Sequence, residues 1–309
     1  MSRGIKITLI VVLVLVLVIF VGINILTYST AKDILTLTMQ DRIDEGLWPP
    51  EKTPEDYGRS YEEVSTMSPD GLKLTGWYPP GVNGATVMIL HGSPGGRQDG
   101  LYEAAFLNEA GYNVLLGSFR SHDDSEGERI TFGFYEIQDA EAWHKYLLSR
   151  EDVDPDRIGI YGESMGGGTG LLYAARQPGI RAIATGSAFG LTREVVELFM
   201  GFETDLPQWA IPLLSRFIIF WAERIGDMDS QALDTQAVIA DISPVPVLIF
   251  HGGKDDKIGP NIGRELFEAA AQPKQLLWIE DAGHVNFEEF EPELYRETLI
   301  KFFEENLLN

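Results

Sequence analysis

The run Arg157-Ile158-Gly159-Ile160-Tyr161 leads directly into Gly162-Glu163-Ser164-Met165-Gly166-Gly167-Gly168. A short apolar run, a glycine-crowded turn and then helix-forming residues read as strand, sharp turn and helix. Few folds accept such a junction, because the residues beside the turn must be small where strand end and helix start meet. The arrangement holds the Ser164 hydroxyl up at the carboxyl edge of a sheet. A phosphate-binding loop at a helix N-terminus is the competing reading, but the stretch has neither the Lys of a P-loop nor the spacing of a dinucleotide fingerprint.

The rest of the chain supplies the sheet. Apolar runs at Thr86 to Leu90, Asn113 to Phe119, Ile158 to Tyr161, Ala182 to Gly186, Val247 to Phe250 and Gln275 to Ile279 have the look of buried parallel strands. Helical stretches are expected between them, at Leu101 to Ala110, Phe134 to Arg150, Gly166 to Arg176, Asn261 to Ala271 and Glu291 to Asn306. Alternating strand and helix imply an α/β fold, a mostly parallel sheet covered on both faces. Ahead of it, Tyr61 to Thr66 and Leu72 to Tyr78 flank Ser68-Pro69-Asp70-Gly71, a turn signal for an antiparallel hairpin. The regular spacing breaks between Ser187 and Ser243, where an aromatic-rich stretch, Leu206 to Ile225, marks an inserted helical cap.

A serine hydroxyl attacks only when a base takes its proton, and the chain has five histidines. His284, in Asp281-Ala282-Gly283-His284, follows the last expected strand and lies at the same sheet edge as Ser164. For His91, His122, His144 and His251, loop hydrogen bonding or helix packing is the simpler account. The imidazole needs an acid to orient it, and His251-Gly252-Gly253-Lys254-Asp255-Asp256 supplies one after the strand Val247 to Phe250. Asp255 is early enough to turn back over the strand end, whereas Asp256 beside Lys257 reads as a solvated turn residue. Acyl transfer also needs donors for a developing oxyanion. Pro94 in His91-Gly92-Ser93-Pro94-Gly95-Gly96 has no N–H, so the expected pair is the backbone N–H of Ser93 and that of Met165. A plain turn is the bland alternative for that loop.

At the other end, no charge interrupts the apolar run from Ile7 to Leu26, roughly 20 residues and enough to cross about 30 Å of hydrocarbon as a helix. Arg3 and Lys6 before it place the short N-terminus in the cytoplasm and the catalytic part outside. A cleaved signal peptide is the alternative, with small residues at Ser29-Thr30-Ala31, but the run exceeds the usual 7 to 15 residues of a signal core. The organisation expected is therefore tip and anchor over 1–28, a juxtamembrane segment and Pro-rich linker over 29–59, and a catalytic domain over 60–309 with its cap at about 187–243. The chain carries 24 Lys and Arg against 47 Asp and Glu, a net charge of −23, which argues against a nucleic-acid partner. It has no Cys, so disulfides and thiolate chemistry are excluded.

The residues SPDGLKLTGWYPP, HGSPGG, FRSHDDSEG, GESMGG, HGGKDD and AGH, in this order, resemble the α/β-hydrolase superfamily. They are most similar to its membrane-anchored and exported bacterial serine hydrolases, the serine aminopeptidase-like and lysophospholipase-like group. The match runs from about Thr53 to the C-terminus. The resemblance implies an eight-stranded, mostly parallel sheet with its second strand antiparallel, a cap after the sixth strand, and no cofactor. It also implies the triad Ser164, Asp255 and His284. One departure is the loop after the fourth strand: relatives have an acidic residue before the aromatic or Arg and a Gly after the His, where this chain has Ser118 and Asp123. That loop bears on substrate preference. The expected activity is hydrolysis of a carboxylic ester, thioester or amide of a small-molecule or lipid-derived acyl substrate. A peptidase releasing N-terminal residues, or an inactive hydrolase-fold binding module, are the other readings.

Overall fold

The computed structural model describes residues 2–36, 52–190, 193, 195–197, 200 and 207–309. The later part of the expected juxtamembrane segment, the Trp48-Pro49-Pro50 linker and part of the early cap lie outside these residues. Eight strands form one sheet: β1 (Glu62–Met67), β2 (Lys73–Tyr78), β3 (Thr86–Leu90), β4 (Asn113–Gly117), β5 (Ile158–Glu163), β6 (Ala182–Gly186), β7 (Val247–Gly252) and β8 (Lys274–Ile279). Their spatial order is β1-β2-β4-β3-β5-β6-β7-β8. β2 runs antiparallel to both β1 and β4, and every other neighbouring pair is parallel.

The period of two along a strand divides the core in two. In β3, Met88 and Leu90 join one apolar cluster while Val87 and Ile89 join the other, and in β7 Val247 and Ile249 are separated in the same way from Leu248 and Phe250. On one face pack α3 (Glu136–Leu148) and α4 (Met165–Ala174), through Trp143, Leu171 and Leu172. Opposite them lie α2 (Leu101–Glu109) and α9 (Pro292–Phe303), through Leu107, Tyr295 and Phe302. Both faces are covered, so the strands carry apolar residues on each side and read as unbroken apolar runs.

Between β6 and β7 the described part of the cap includes α5 (Ile211–Gly226) and α6 (Thr235–Val238); α7 (Ile262–Ala269) follows β7 and α8 (Phe287–Phe290) follows β8. At the start of the chain, α1 (Arg3–Thr36) has 34 residues and a most apolar window of mean hydropathy 3.4. By length and composition it is able to cross a membrane. Its apolar run is exposed, but Thr27, Ala31 and Leu35, spaced four apart, are buried. That spacing puts them on one helical face, and Ala31 joins a small apolar cluster with Ile211, Leu214 and Ile218 of α5.

One buried charge cluster ties three elements together. Arg120, just after β4, bonds Asp139 of α3 through Nε and Nη2 and Asp70 of the β1–β2 turn through Nη1 at 2.8 Å. Asp139 is fully buried, so without the guanidinium its charge would have no counter-ion among the described residues. We expect Arg120→Ala to lose about 3–5 kcal/mol of unfolding free energy in urea titrations of the full chain in detergent. A loss below about 1 kcal/mol would mean that Asp139 finds another partner or takes up a proton.

Candidate active site

Ser164 caps the N-terminus of α4 with φ 50° and ψ −115°, a conformation few non-glycine residues adopt. The surroundings hold it there. A Cβ on Gly166 would lie 2.1 Å from the Leu90 carbonyl oxygen, and one on Gly162 would lie 2.5 Å from that of Gly166. Any side chain at either position would push the start of α4 off the ends of β3 and β5. The Ser164 amide donates to Gly186 O at 2.8 Å, which ties the turn to β6.

His284 follows β8 through Ala282-Gly283, where the Gly283 amide donates to Asn286 Oδ1 at 2.8 Å. This loop packs on the one after β7: the Lys254 amide donates to Ala282 O at 2.9 Å, and a Cβ on Gly252 would lie 2.2 Å from Gly283 O. The contact between these loops brings His284 to both of its partners. Its Nε2 is 2.9 Å from Ser164 Oγ and its Nδ1 is 2.9 Å from Asp255 Oδ2. Asp255 is fully buried, accepts the amides of Lys257 and Ile258 at 3.0 Å each, and receives the Ser187 hydroxyl. Burial alone would raise its carboxyl, but His284, the Ile258 amide and Ser187 outweigh that and hold it at about 2. Asp256, by contrast, is exposed.

Ser93 and Met165 line the same cavity as Ser164 and His284. The Met165 amide is in the first turn of α4 and has no acceptor within the helix. The Ser93 loop passes against Ser164, since a Cβ on Gly92 would lie 3.3 Å from Ser164 Cβ. His91 shapes this loop. Its Nε2 accepts the Phe119 amide at 3.0 Å, which leaves Nδ1 to donate to Gly92 O at 2.7 Å. The remaining histidines also have local partners: His122 Nδ1 faces Arg120 O and His144 Nδ1 the Tyr173 hydroxyl, both at 2.7 Å, and His251 Nε2 faces Gly259 O at 2.9 Å. Asp123, one of the departures noted above, accepts the Ser118 hydroxyl and, at 2.9 Å, the Arg97 amide. It therefore joins the loop after β4 to the loop after β3.

Two features escaped the reading of the sequence. Ser187 supports Asp255 from the end of β6, and its only signal was a hydroxyl residue at a strand's carboxyl end. The second is a buried row of four groups, in which hydrogen bonds join Glu163 to Tyr161, Tyr161 to Tyr295, and Tyr295 to Glu103. Three links need three protons and the two phenols supply two, so one carboxyl in the row is protonated. Burial, and after it the charge of Glu103, push the Glu163 carboxyl well above the usual range, and burial pushes that of Glu103 up to about 7. Members of the row are up to 192 residues apart, too far for local spacing to reveal.

The sheet order, the crossovers and a serine turn at the end of β5 define a hydrolase fold, and the chain belongs to the α/β-hydrolase superfamily. Residues 85–219 match the family model described as the alpha/beta hydrolase fold. Among similar sequences are the Bacillus subtilis protein YqkD, 30% identical over 71% of both chains, and the Escherichia coli K12 protein YfhR, 27% identical over 79% of this chain and 80% of that one. A solved structure of the Pyrococcus furiosus esterase Pf2001 superimposes with a TM-score of 0.70 at 25% identity, covering 84% of this chain and 96% of that one. An esterase is thus among the structural neighbours of this α/β-hydrolase.

Two outcomes are expected from the site. Ser164→Gly removes backbone strain worth about 1–3 kcal/mol, partly offset by about 0.4–1 kcal/mol of added unfolded-chain entropy. Thermal unfolding of the variant should therefore show a gain in stability, and a loss would mean that the turn is unstrained. For Asp255, a folded value near 2 against an ordinary unfolded value near 3.9 gives stability that is present above about pH 4 and lost as pH falls through about 2. Between pH 5 and pH 2 the wild type should lose about 2 kcal/mol more than Asp255→Asn in urea titrations. Parallel acid limbs would refute the depressed value.

Proposed function

We propose that this chain is a membrane-anchored serine esterase that forms an acyl-enzyme on Ser164. The observation that carries the reading is the unbroken hydrogen-bonded row Ser164–His284–Asp255 opening into one cavity. His284 Nε2 takes the proton from Ser164 Oγ as the oxygen attacks the ester carbonyl. The amides of Ser93 and Met165 hold the oxyanion of the tetrahedral intermediate, an arrangement in which one lost donor typically costs about 3–4 kcal/mol. Collapse expels the alcohol, which leaves with the proton from His284. Water then gives a proton to His284 and attacks the acyl carbon, and release of the acid returns the proton to Ser164. Asp255 keeps Nδ1 protonated and offsets the charge on the imidazolium throughout. Because only neutral imidazole accepts a proton, hydrolysis falls on acidification.

α1 anchors the enzyme, with the N-terminal tip in the cytoplasm and the catalytic domain on the far side of the membrane. The substrates are carboxylic esters of lipid-derived or small acyl groups. The aminopeptidase reading needs a carboxylate to hold the substrate ammonium, and among the described residues lining the cavity there is no Asp or Glu. A binding module without activity is disfavoured by the complete, hydrogen-bonded triad. We expect a fluorophosphonate to form one adduct on full-length protein, located on Ser164 by peptide mass and missing in Ser164→Ala. Asp255→Asn should retain the adduct site while lowering kcat on an ester about 10⁴-fold. Folded protein that is neither labelled nor active would refute the reading.

A further inference from the structure

The helix that bears the apolar run is also a wall of the cavity. Ala31, Ile34 and Leu35 of α1 line the space that holds Ser164 and His284, and Ile218, Ile219 and Ala222 of α5 line it beside them. The cavity measures about 440 Å³, within the range of small-molecule sites. Ala31 and Leu35 are almost completely buried, so α1 is packed into the cap as a structural member rather than trailing from it.

The two helices run in the same direction. Phe20 meets Phe217 with ring centroids 6.2 Å apart, Tyr28 meets Trp221 at 5.3 Å, and a Cβ on Gly226 would lie 3.6 Å from Leu35. Phe20 is inside the apolar run, so the seam between α1 and α5 begins at the depth of the hydrocarbon. At 1.5 Å per residue, Ala31 stands about 8 Å and Leu35 about 14 Å beyond Leu26, the end of that run. Turns of α5 that precede Phe217 lie alongside the run, and there Leu213 is 50% exposed; just before α5, Trp209 is 79% exposed. Large apolar side chains left open beside a membrane-spanning segment suit contact with lipid. An acyl chain moving along this seam stays in apolar surroundings, whereas one reaching Ser164 through water would be fully hydrated on the way.

We infer that the α1–α5 seam admits the acyl chain of a single-chain membrane lipid ester from the bilayer, and that Ala31, Ile34 and Leu35 determine which chain lengths reach Ser164. This rests on the esterase reading above and names its substrate class. The test uses full-length protein in phosphatidylcholine vesicles with p-nitrophenyl butanoate and dodecanoate, comparing the ratio of kcat/KM for the long over the short ester. Changing one methylene of fit in an apolar pocket shifts such ratios by about 10–200-fold. Ala31→Trp should lower the ratio at least about tenfold, Leu35→Ala should move it the opposite way, and Asp33→Trp, on the exposed side of α1, should leave it where it was. Opposite shifts cannot come from general damage to the fold, and fluorophosphonate labelling of Ser164 confirms that each variant has an intact site. Wild-type hydrolysis of both esters with ratios unmoved by Ala31→Trp and Leu35→Ala would overturn the inference and leave the esterase intact. Wild-type protein that hydrolyses neither ester would overturn both.

Discussion

The backbone contact at the start of α4 is the constraint on which the rest of the site depends. Gly166 approaches the end of β3 and Gly162 the first turn of α4, both at distances that no side chain allows. Only this closeness brings Ser164 above the sheet edge and directs its amide to Gly186. The strain at Ser164 persists because the surrounding core over-determines it, with β3 and β5 buried on both faces. Site and fold thus share one junction, and changes to the packing of β3 are changes to the placement of Ser164.

Around that junction the loops hold one another. The loop after β7 hydrogen-bonds the loop after β8, and Asp255 and His284 meet as a result. Through Asp123 the loop after β4 grips the one after β3, while Arg120 fastens its other side to α3 and the β1–β2 turn. The residues that depart from the family pattern, Ser118 and Asp123, bond to each other and to this framework. Their first effect is therefore on the shape of the loop that carries Ser93.

The cap links the site to the N-terminal helix. α5 meets α1 through Phe217 and Trp221, and its neighbour Trp209 is open. An anchor would need only enough length to span a bilayer. Ala31, Ile34 and Leu35 go beyond that requirement, since they make the helix part of the cavity wall. The N-terminal helix and the cavity then become a single construction.

The parallel strands were legible because burial on both faces writes each as an apolar run, and the serine turn because its crowding demands glycine at named places. Their chain order, Ser164, Asp255 and His284, is visible without coordinates. Asp255 could be preferred over Asp256 from its distance to the strand end, but the decisive difference, full burial against exposure, comes from the packing of two loops. The sequence by itself determined the fold, the serine turn and an apolar helix of membrane length, because each depends on neighbours within a few residues. Tertiary structure alone decided the Glu163–Tyr161–Tyr295–Glu103 row, the support of Ser187, the clamp of Arg120 and the place of α1 in the cavity. Those depend on residues tens to nearly two hundred positions apart, which only the closure of the sheet and cap brings into contact.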